Sequence, residues 1–341
     1  MKEITKEDIL QAIGAVTLGK PEKSLMQNCH VETVKIDQGR ITFIITIESG
    51  ISNLKEEALK KCEDKVKEIP GVISVSGIIN IHEPLKNNFI KGIKSTIVVA
   101  SGKGGVGKST VAVNLAAAMA HCGYKTGILD ADIYGPSIPK MFGTNEKPKS
   151  KDGKIIEPIL KYNIKCMSIG FLIGENTPVI WRGPMVMKYL MEMINSVNWG
   201  NLDILVVDMP PGTGDVQLTM AQKFSVTGSV IVSTPQDIAL IDVKKGIEMF
   251  KKTNIPNLGI IENMSYFIAP DTGKRYEIFG SGGAKQIAKK LGCDFLTDIP
   301  IDIDLRELSD KGTPIVFEKP QSPQTTVFIN LAKKIMSKIA K

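Results

Sequence analysis

The sequence predicts an α/β fold, a doubly wound, mostly parallel sheet preceded by a small α+β domain, and three observations carry that reading. From Ser95 onward, short apolar runs (TIVVAS, TGILD, KCMSIG, DILVVD, GSVIVST and LGIIEN) alternate with helical patterns. These runs lack the polar alternation of a half-exposed strand, which suits strands covered by helices on both faces. Residues 1–82 instead combine alternating strands, as in Ile41, Phe43, Ile45 and Ile47, with helices whose apolar residues recur three or four apart.

In chain order, the small domain is expected to hold a helix over Glu7–Val16, strands at His30–Ile36 and Arg40–Ile47, a helix over Leu54–Ile69 and a strand at Val72–Ile79. The polar, proline-containing stretch HEPLKNNFIKGIK follows a completed strand and marks a linker over 83–94, which leaves 95–341 as the large domain. At 341 residues and 43% hydrophobic content, the chain is long enough for one large core and one small one. Its 43 basic and 36 acidic residues give a net charge of +7, spread along the chain, which provides no ground for nucleic-acid binding. No apolar run reaches the roughly 18 residues of a spanning helix, and the start, MKEITKEDIL, mixes acid and base where a signal peptide needs an apolar segment. A cytoplasmic setting without stable membrane anchoring is the expectation. The five cysteines (Cys29, Cys62, Cys122, Cys166 and Cys293) include no Cys-x-x-Cys pair and read as buried thiols. The histidines His30, His82 and His121 show no ligand spacing.

The motif with the most chemistry is SGKGGVGKST. Gly102–Ser109 fits G-x-x-x-x-G-K-[ST] between an expected strand (Thr96–Ala100) and an expected helix (Ser109–Ala120), the context of a phosphate-binding loop, or P-loop. Gly102, Gly104, Gly105 and Gly107 let the backbone turn its N–H groups inward, and the helix adds its positive end. Lys108 is expected to neutralise the β- and γ-phosphates and Ser109 to ligate Mg²⁺. Lys103, Val106 and Thr110 complete the run expected to contact nucleotide. The loop contains two lysines where phosphate binding ordinarily needs one.

Two acidic strand ends belong with this loop. In LDADIYGPS, Asp130 and Asp132 lie on one side of an extended chain, so that one acid can support the metal's water shell while the other orients the attacking water. The alternative is that they begin a turn or cap a helix. In ILVVDMPPGTGD, an apolar strand ends at Asp208, the Walker B pattern of a metal-side acid. Pro210, Pro211, Gly212 and Gly214 follow it and suit a segment with two positions, the alternative being a plain proline-glycine loop.

KGGVGKS resembles the deviant Walker A of the MinD/ParA class of P-loop ATPases, and Lys103 looks like its signature lysine. In that class the lysine reaches across a dimer interface to the partner's nucleotide, so the resemblance implies a homodimer with ATP in its contact. LDADIYGPS, WRGPM (Trp181–Met185), DMPPGTGD, STPQD (Ser233–Asp237) and ENMSYF (Glu262–Phe267) resemble, more narrowly, the Mrp/ApbC family of iron-sulfur cluster carrier ATPases. The resemblance implies Lys103, Lys108 and Asp132 as catalytic residues, with Asp132 the water-orienting acid. It also implies Ser109, Asp130 and Asp208 on the metal side, Asn263 at the adenine, slow ATP hydrolysis, and iron-sulfur apoproteins or assembly proteins as partners. Residues 1–82 resemble the iron-sulfur assembly domain fused ahead of such ATPases.

The sequence departs from the family in two places. Many relatives carry Cys-x-x-Cys after the Asn-Met-Ser segment, where this chain has Ala269 and Thr272, and neither side chain binds iron. The small domain has Lys20 before Pro21-Glu22, and its ESGISNLKEE segment contains no cysteine. The leading expectation is therefore a dimeric, ATP-hydrolysing cluster carrier or assembly factor, its cluster ligands not evident, a bound cluster having to recruit Cys62, Cys166 or Cys293 or ligands lent by a partner protein. Two alternatives remain: a MinD/ParA-like positioning ATPase, and an ATP-dependent scaffold that holds no cluster itself. The first draws on VFINLAKKIMSKIAK, a basic amphipathic helix that either packs on the sheet or lies on lipid. The methionines Met185, Met187, Met191 and Met193 suit packing within an apolar helix better than soft-metal binding.

Overall fold

The computed structural model describes residues 4–18, 23–25, 29–48, 54–82, 90, 92–150, 153–173 and 183–340. Lys20, Pro21 and Glu22, much of the linker, and Trp181 and Arg182 lie outside the described residues. The chain divides into two compact units, Met1–Lys86 and Asn87–Lys341.

In the first unit, strands Cys29–Asp37, Arg40–Glu48 and Ser74–His82 form a sheet with Arg40–Glu48 in the middle, antiparallel to the first strand and parallel to the third. A parallel pair needs a crossover, and helix Lys55–Lys67 supplies it. The alternation of the middle strand places Ile41, Phe43, Ile45 and Ile47 in one core with Ile9 and Ile13 of helix Lys6–Gly14. That helix starts on a reciprocal cap between Thr5 and Asp8. Two-residue strands at Thr17–Leu18 and Lys23–Ser24 also pair, too short to leave a periodic signal in the sequence.

The second unit is built on one eight-stranded sheet. Its strands are numbered along the chain as β1 (Ile93–Ala100), β2 (Thr126–Asp130), β3 (Ile159–Lys161), β4 (Ile164–Ser168), β5 (Leu202–Asp208), β6 (Gly228–Ser233), β7 (Asn257–Glu262) and β8 (Phe295–Asp298). The order across the sheet is β3-β4-β2-β5-β1-β6-β7-β8, and all neighbours are parallel except β3 with β4. Each of the six apolar runs lies in this sheet. Successive residues face opposite layers: Ile97, Val99, Ile204 and Val206 enter one core, and Val98, Ala100, Leu205 and Val207 the other. Both layers are apolar, so the runs could not alternate with polar residues. The chain leaves β1 for β2 on one side and later places β6 on the other, so the loop after β1 sits where the strand order reverses, the usual ligand crevice of such sheets.

Helix Lys108–His121 buries nearly its whole surface, because the terminal helix Pro323–Ile339 covers its outer side. Phe328, Leu331, Ala332 and Ile335 of the terminal helix are buried in that core. Lys334 donates to the carbonyls of Phe295 and Leu296 on the edge strand β8. The apolar face of this basic helix is thus occupied by the chain's own core, which is the packing alternative. Among the described residues no helix is long and apolar enough to cross a membrane. Helix Gly183–Asn195 turns Met193 inward and leaves Met187 and Met191 half-buried and Met185 exposed, a packing gradient rather than a ligand set.

Candidate functional site

The P-loop links the buried strand β1 to helix Lys108–His121. Its last glycine, Gly107, adopts φ 78°, the left-handed region, and a Cβ there would stand 2.2 Å from Asn263 Nδ2. Backbone conformation and space both demand glycine at this position. Gly102 is equally confined, since a Cβ on it would meet Asp242 Cβ at 2.3 Å.

Lys108 is only 6% exposed and connects the acids at the strand ends. Its Nζ lies 2.6 Å from Asp208 Oδ1, 3.3 Å from Ser109 Oγ and 3.9 Å from Asp132 Oδ2. Burial pushes the Asp132 carboxyl above its usual range, with the Lys108 ammonium opposing and the Asp208 carboxylate reinforcing the rise. The other oxygen of Asp208, Oδ2, is buried and has no hydrogen-bond partner among the described residues. An unsatisfied carboxylate oxygen in the interior is costly, and a hydrated Mg²⁺ ion would satisfy it. With Ser109 Oγ nearby, the donor set is hard oxygen and fits that ion. Among the described residues no group of three or more His, Cys, Asp or Glu side chains is arranged to hold a metal. Magnesium would therefore rest on Ser109, Asp208 and nucleotide phosphate together.

Asp130 carries a structural task besides the metal-side one expected of it. Its Oδ1 accepts from the Asp132 amide, and its Oδ2 accepts from the Ser137 and Ile138 amides and the Ser168 hydroxyl. Both oxygens help to hold the turn after β2, as the turn-and-cap alternative expected, and Asp130 thereby fixes the backbone that carries Asp132. Burial, then the neighbouring Asp208 carboxylate, drives its own carboxyl well up from the ordinary value.

The loop after β5 is fastened on two sides. The Gly212 amide donates to the Ser101 carbonyl at 2.8 Å, and Gln217 Nε2 donates to the Pro211 carbonyl at 2.6 Å. Gln217 belongs to no motif that would reveal it; it is buried on the helix that follows the proline-glycine loop.

Two cavities meet at this loop. The smaller, about 230 Å³, is lined by Lys103, Gly104, Lys108, Ser109, Asp132 and Pro211 among others, the groups suited to phosphate. The larger, about 640 Å³, is lined by Asn263, Met264, Pro300, Ile301 and Leu305 among others, a wall suited to a planar base. Both include Gly107 and Thr110, so one elongated ligand with a charged end and an apolar end can fill the pair. Asn263 stands at the junction with Nδ2 donating to the Val106 carbonyl at 2.8 Å, which ties the P-loop to the end of β7. Met264, Pro300 and Ile301 escaped the sequence reading, although they follow strands β7 and β8 at the edge where ligands gather.

Lys103 borders the phosphate cavity as Lys108 does, but pairs with a different acid. Its Nζ is 3.8 Å from Asp242 Oδ2 on helix Asp237–Lys252. Ala269 and Thr272 sit in the hairpin formed by Phe267–Ile268 and Arg275–Tyr276, closed by the Ala269 amide donating to the Lys274 carbonyl. No cysteine accompanies them in sequence. Cys166 is fully buried in β4 and its thiol is driven up by burial, so it cannot reach a subunit surface. Cys62 is likewise buried, as the sequence suggested, and its thiol is pushed up to about 12 chiefly by burial. Cys29, Cys122 and Cys293 are half-buried.

Comparison with known proteins agrees with this geometry. Residues 92–336 match the model of a ParA-type family described as NUBPL iron-transfer P-loop NTPase, and residues 6–76 match that of an iron-sulfur cluster assembly protein family. An iron-sulfur cluster carrier protein of Synechocystis is 41% identical over 99% of this chain and 98% of its own length. The iron-sulfur cluster transfer protein NUBPL of Mus musculus is 49% identical over 74% of this chain and 80% of its own. Among solved structures, a nucleotide-binding protein of Archaeoglobus fulgidus in complex with ADP is 43% identical, with a TM-score of 0.62 over 72% of this chain and 97% of that one. Matched across most of its length and carrying the loop, acids and cavities described above, the chain belongs to the NUBPL iron-transfer P-loop NTPase family.

Proposed function

We propose that this chain is a cytoplasmic ATP-binding and slowly ATP-hydrolysing iron-sulfur cluster carrier or assembly factor that works as a nucleotide-sandwich homodimer. The observation that carries the reading is the joined pair of cavities with Lys108, Asp132 and Asp208 around the phosphate end. Lys108 exchanges part of its contact with Asp208 for the β- and γ-phosphates. The P-loop amides and the start of helix Lys108–His121 hold the phosphate oxygens. Asp132, positioned by the Asp130 cap, orients the water whose oxygen replaces the β–γ bridging oxygen at the γ-phosphorus. Mg²⁺, when bound, spreads the charge that develops on the phosphate oxygens. Asn263, Met264, Pro300 and Ile301 receive the base. Lys103 reaches the nucleotide of the second subunit, so Lys103→Ala should bind nucleotide and lose both ATP-dependent association and turnover.

The cluster is cargo in this reading, and Ala269 and Thr272 supply no thiolate for it. That observation favours a second reading within the same family, an ATP-driven scaffold whose cluster ligands come from partner apoproteins or assembly proteins. Anaerobic reconstitution with iron and sulfide, followed by metal counts and absorption spectra, separates the two. A stable stoichiometric cluster lost on replacing one cysteine identifies a carrier and its ligand; a chain that hydrolyses ATP without retaining iron is the scaffold. The positioning-ATPase alternative loses its main support, because the terminal helix buries its apolar face internally.

A further inference from the structure

Lys103 has a partner on its own chain that the reaction does not use. Its Nζ is 3.8 Å from Asp242 Oδ2, and the other oxygen of Asp242 is 2.9 Å from Lys245 Nζ. The carboxylate is not there by loose approach. Gly102 touches Asp242 so closely that a Cβ on the glycine would stand 2.3 Å from Asp242 Cβ and 2.9 Å from the Asp242 carbonyl oxygen. Helix Asp237–Lys252 is therefore packed directly on the P-loop backbone, and Asp242 is fixed one residue from the lysine that it faces. Two side chains of the same helix beside it, Ile238 and Ile241, are each 62% exposed.

We propose that Asp242 is a positioning residue for Lys103: it keeps the lysine on its own subunit and must release it before Lys103 reaches the phosphates of a second copy of the chain. This rests on the dimer reading above and deepens it by naming what the dimer must displace. A carboxylate and a phosphate compete for one ammonium, so the ion pair on the free subunit opposes association. Lys245 weakens that opposition, since it shares the same carboxylate. The two flanking residues of the pair thus act in opposite directions, which a purely structural role for either would not produce.

The test is the dimer dissociation constant by sedimentation velocity with Mg²⁺ and a non-hydrolysable ATP analogue, beside the analogue's affinity for the monomer from fluorescence titration. Freeing a half-buried ion pair held at 3.8 Å is worth about threefold, and two lysines are freed per dimer, so Asp242→Asn should tighten the dimer by about tenfold. Lys245→Ala should loosen it by a few fold, by about the same reasoning. Analogue affinity should be unchanged in both. In Lys103→Ala/Asp242→Asn, the gain should vanish. An Asp242→Asn dimer no tighter than wild type, a Lys245→Ala dimer no looser, or a gain that survives without Lys103 overturns the proposal. A wild-type chain that fails to associate with the analogue overturns the dimer reading itself, and so tells the two failures apart.

Discussion

Asn263 and Gly107 meet so closely that the asparagine amide lies 2.2 Å from where a Cβ on the glycine would stand. The same amide donates to the Val106 carbonyl, so one side chain from the end of β7 fixes the curl of a loop 157 residues earlier in the chain. Phosphate and base cavities share that junction, and its geometry governs both.

Gly107→Ala should therefore damage folding and binding together. A non-glycine residue at φ 78° and the displaced Asn263 bond together cost about 2 kcal/mol. Urea denaturation should show that loss, and nucleotide titration a fall in affinity of about thirtyfold if the same loss of about 2 kcal/mol falls on the binding geometry, since 1.4 kcal/mol is tenfold. Asn263→Ala, which leaves the glycine relaxed, should lose less in both measurements.

Lys108→Ala should abolish nucleotide binding and also destabilise the chain. Asp208 is fully buried, and removing its cation leaves a charge without compensation, a loss of about 3 kcal/mol. Lys108→Ala/Asp208→Asn should recover much of the stability and none of the binding. Equal stability of the single and double variants would show that the pair is not coupled in this way.

The parallel sheet was legible because strands covered on both faces become uninterrupted apolar runs, as in Val98–Ala100 and Leu205–Val207. The edges were not. Ile159–Lys161 is too short for a periodic signal, and Phe295–Asp298, at the sheet's rim, has only two apolar residues before it turns polar. The P-loop and Asp208 were readable from local spacing, since a turn that cradles phosphate dictates its own glycines. The donors that bond Asp130 were not, because spacing places a carboxylate at a strand end without telling which groups will claim its oxygens. Pro300, Ile301 and Asp242 reach the site only through the fold, and contacts across so many residues leave no mark on a single sequence.

The raised carboxyl of Asp130 gives a pH signature. Burial and the Asp208 charge make its proton bind more tightly in the folded chain than in the unfolded one. Its contribution to stability is then complete below the unfolded value of about 4 and is lost as pH rises through the higher folded value. Asp132, raised in the same direction mainly by burial, adds to the trend. Denaturation of wild type and Asp130→Asn from pH 4 upward should show wild type losing stability relative to the variant. Parallel curves would mean that Asp130 does not titrate with folding.

The terminal helix should behave as core. Leu331→Ala, at a fully packed position, should cost about 3 kcal/mol, whereas Lys333→Ala on the exposed face should change stability by less than about 0.5 kcal/mol. Thermal unfolding checks the pair, and equal small effects would indicate a helix that is not docked.

Whether this site hydrolyses ATP through Asp132 is tested most directly by measuring phosphate release and nucleotide affinity side by side for wild type and Asp132→Ala. The carboxylate lies 3.9 Å from Lys108 Nζ and faces the phosphate cavity, so its loss should leave binding within about threefold of wild type and slow turnover by about a hundredfold or more. Hydrolysis by Asp132→Ala at the wild-type rate would contradict the role assigned to this acid and the mechanism built on it.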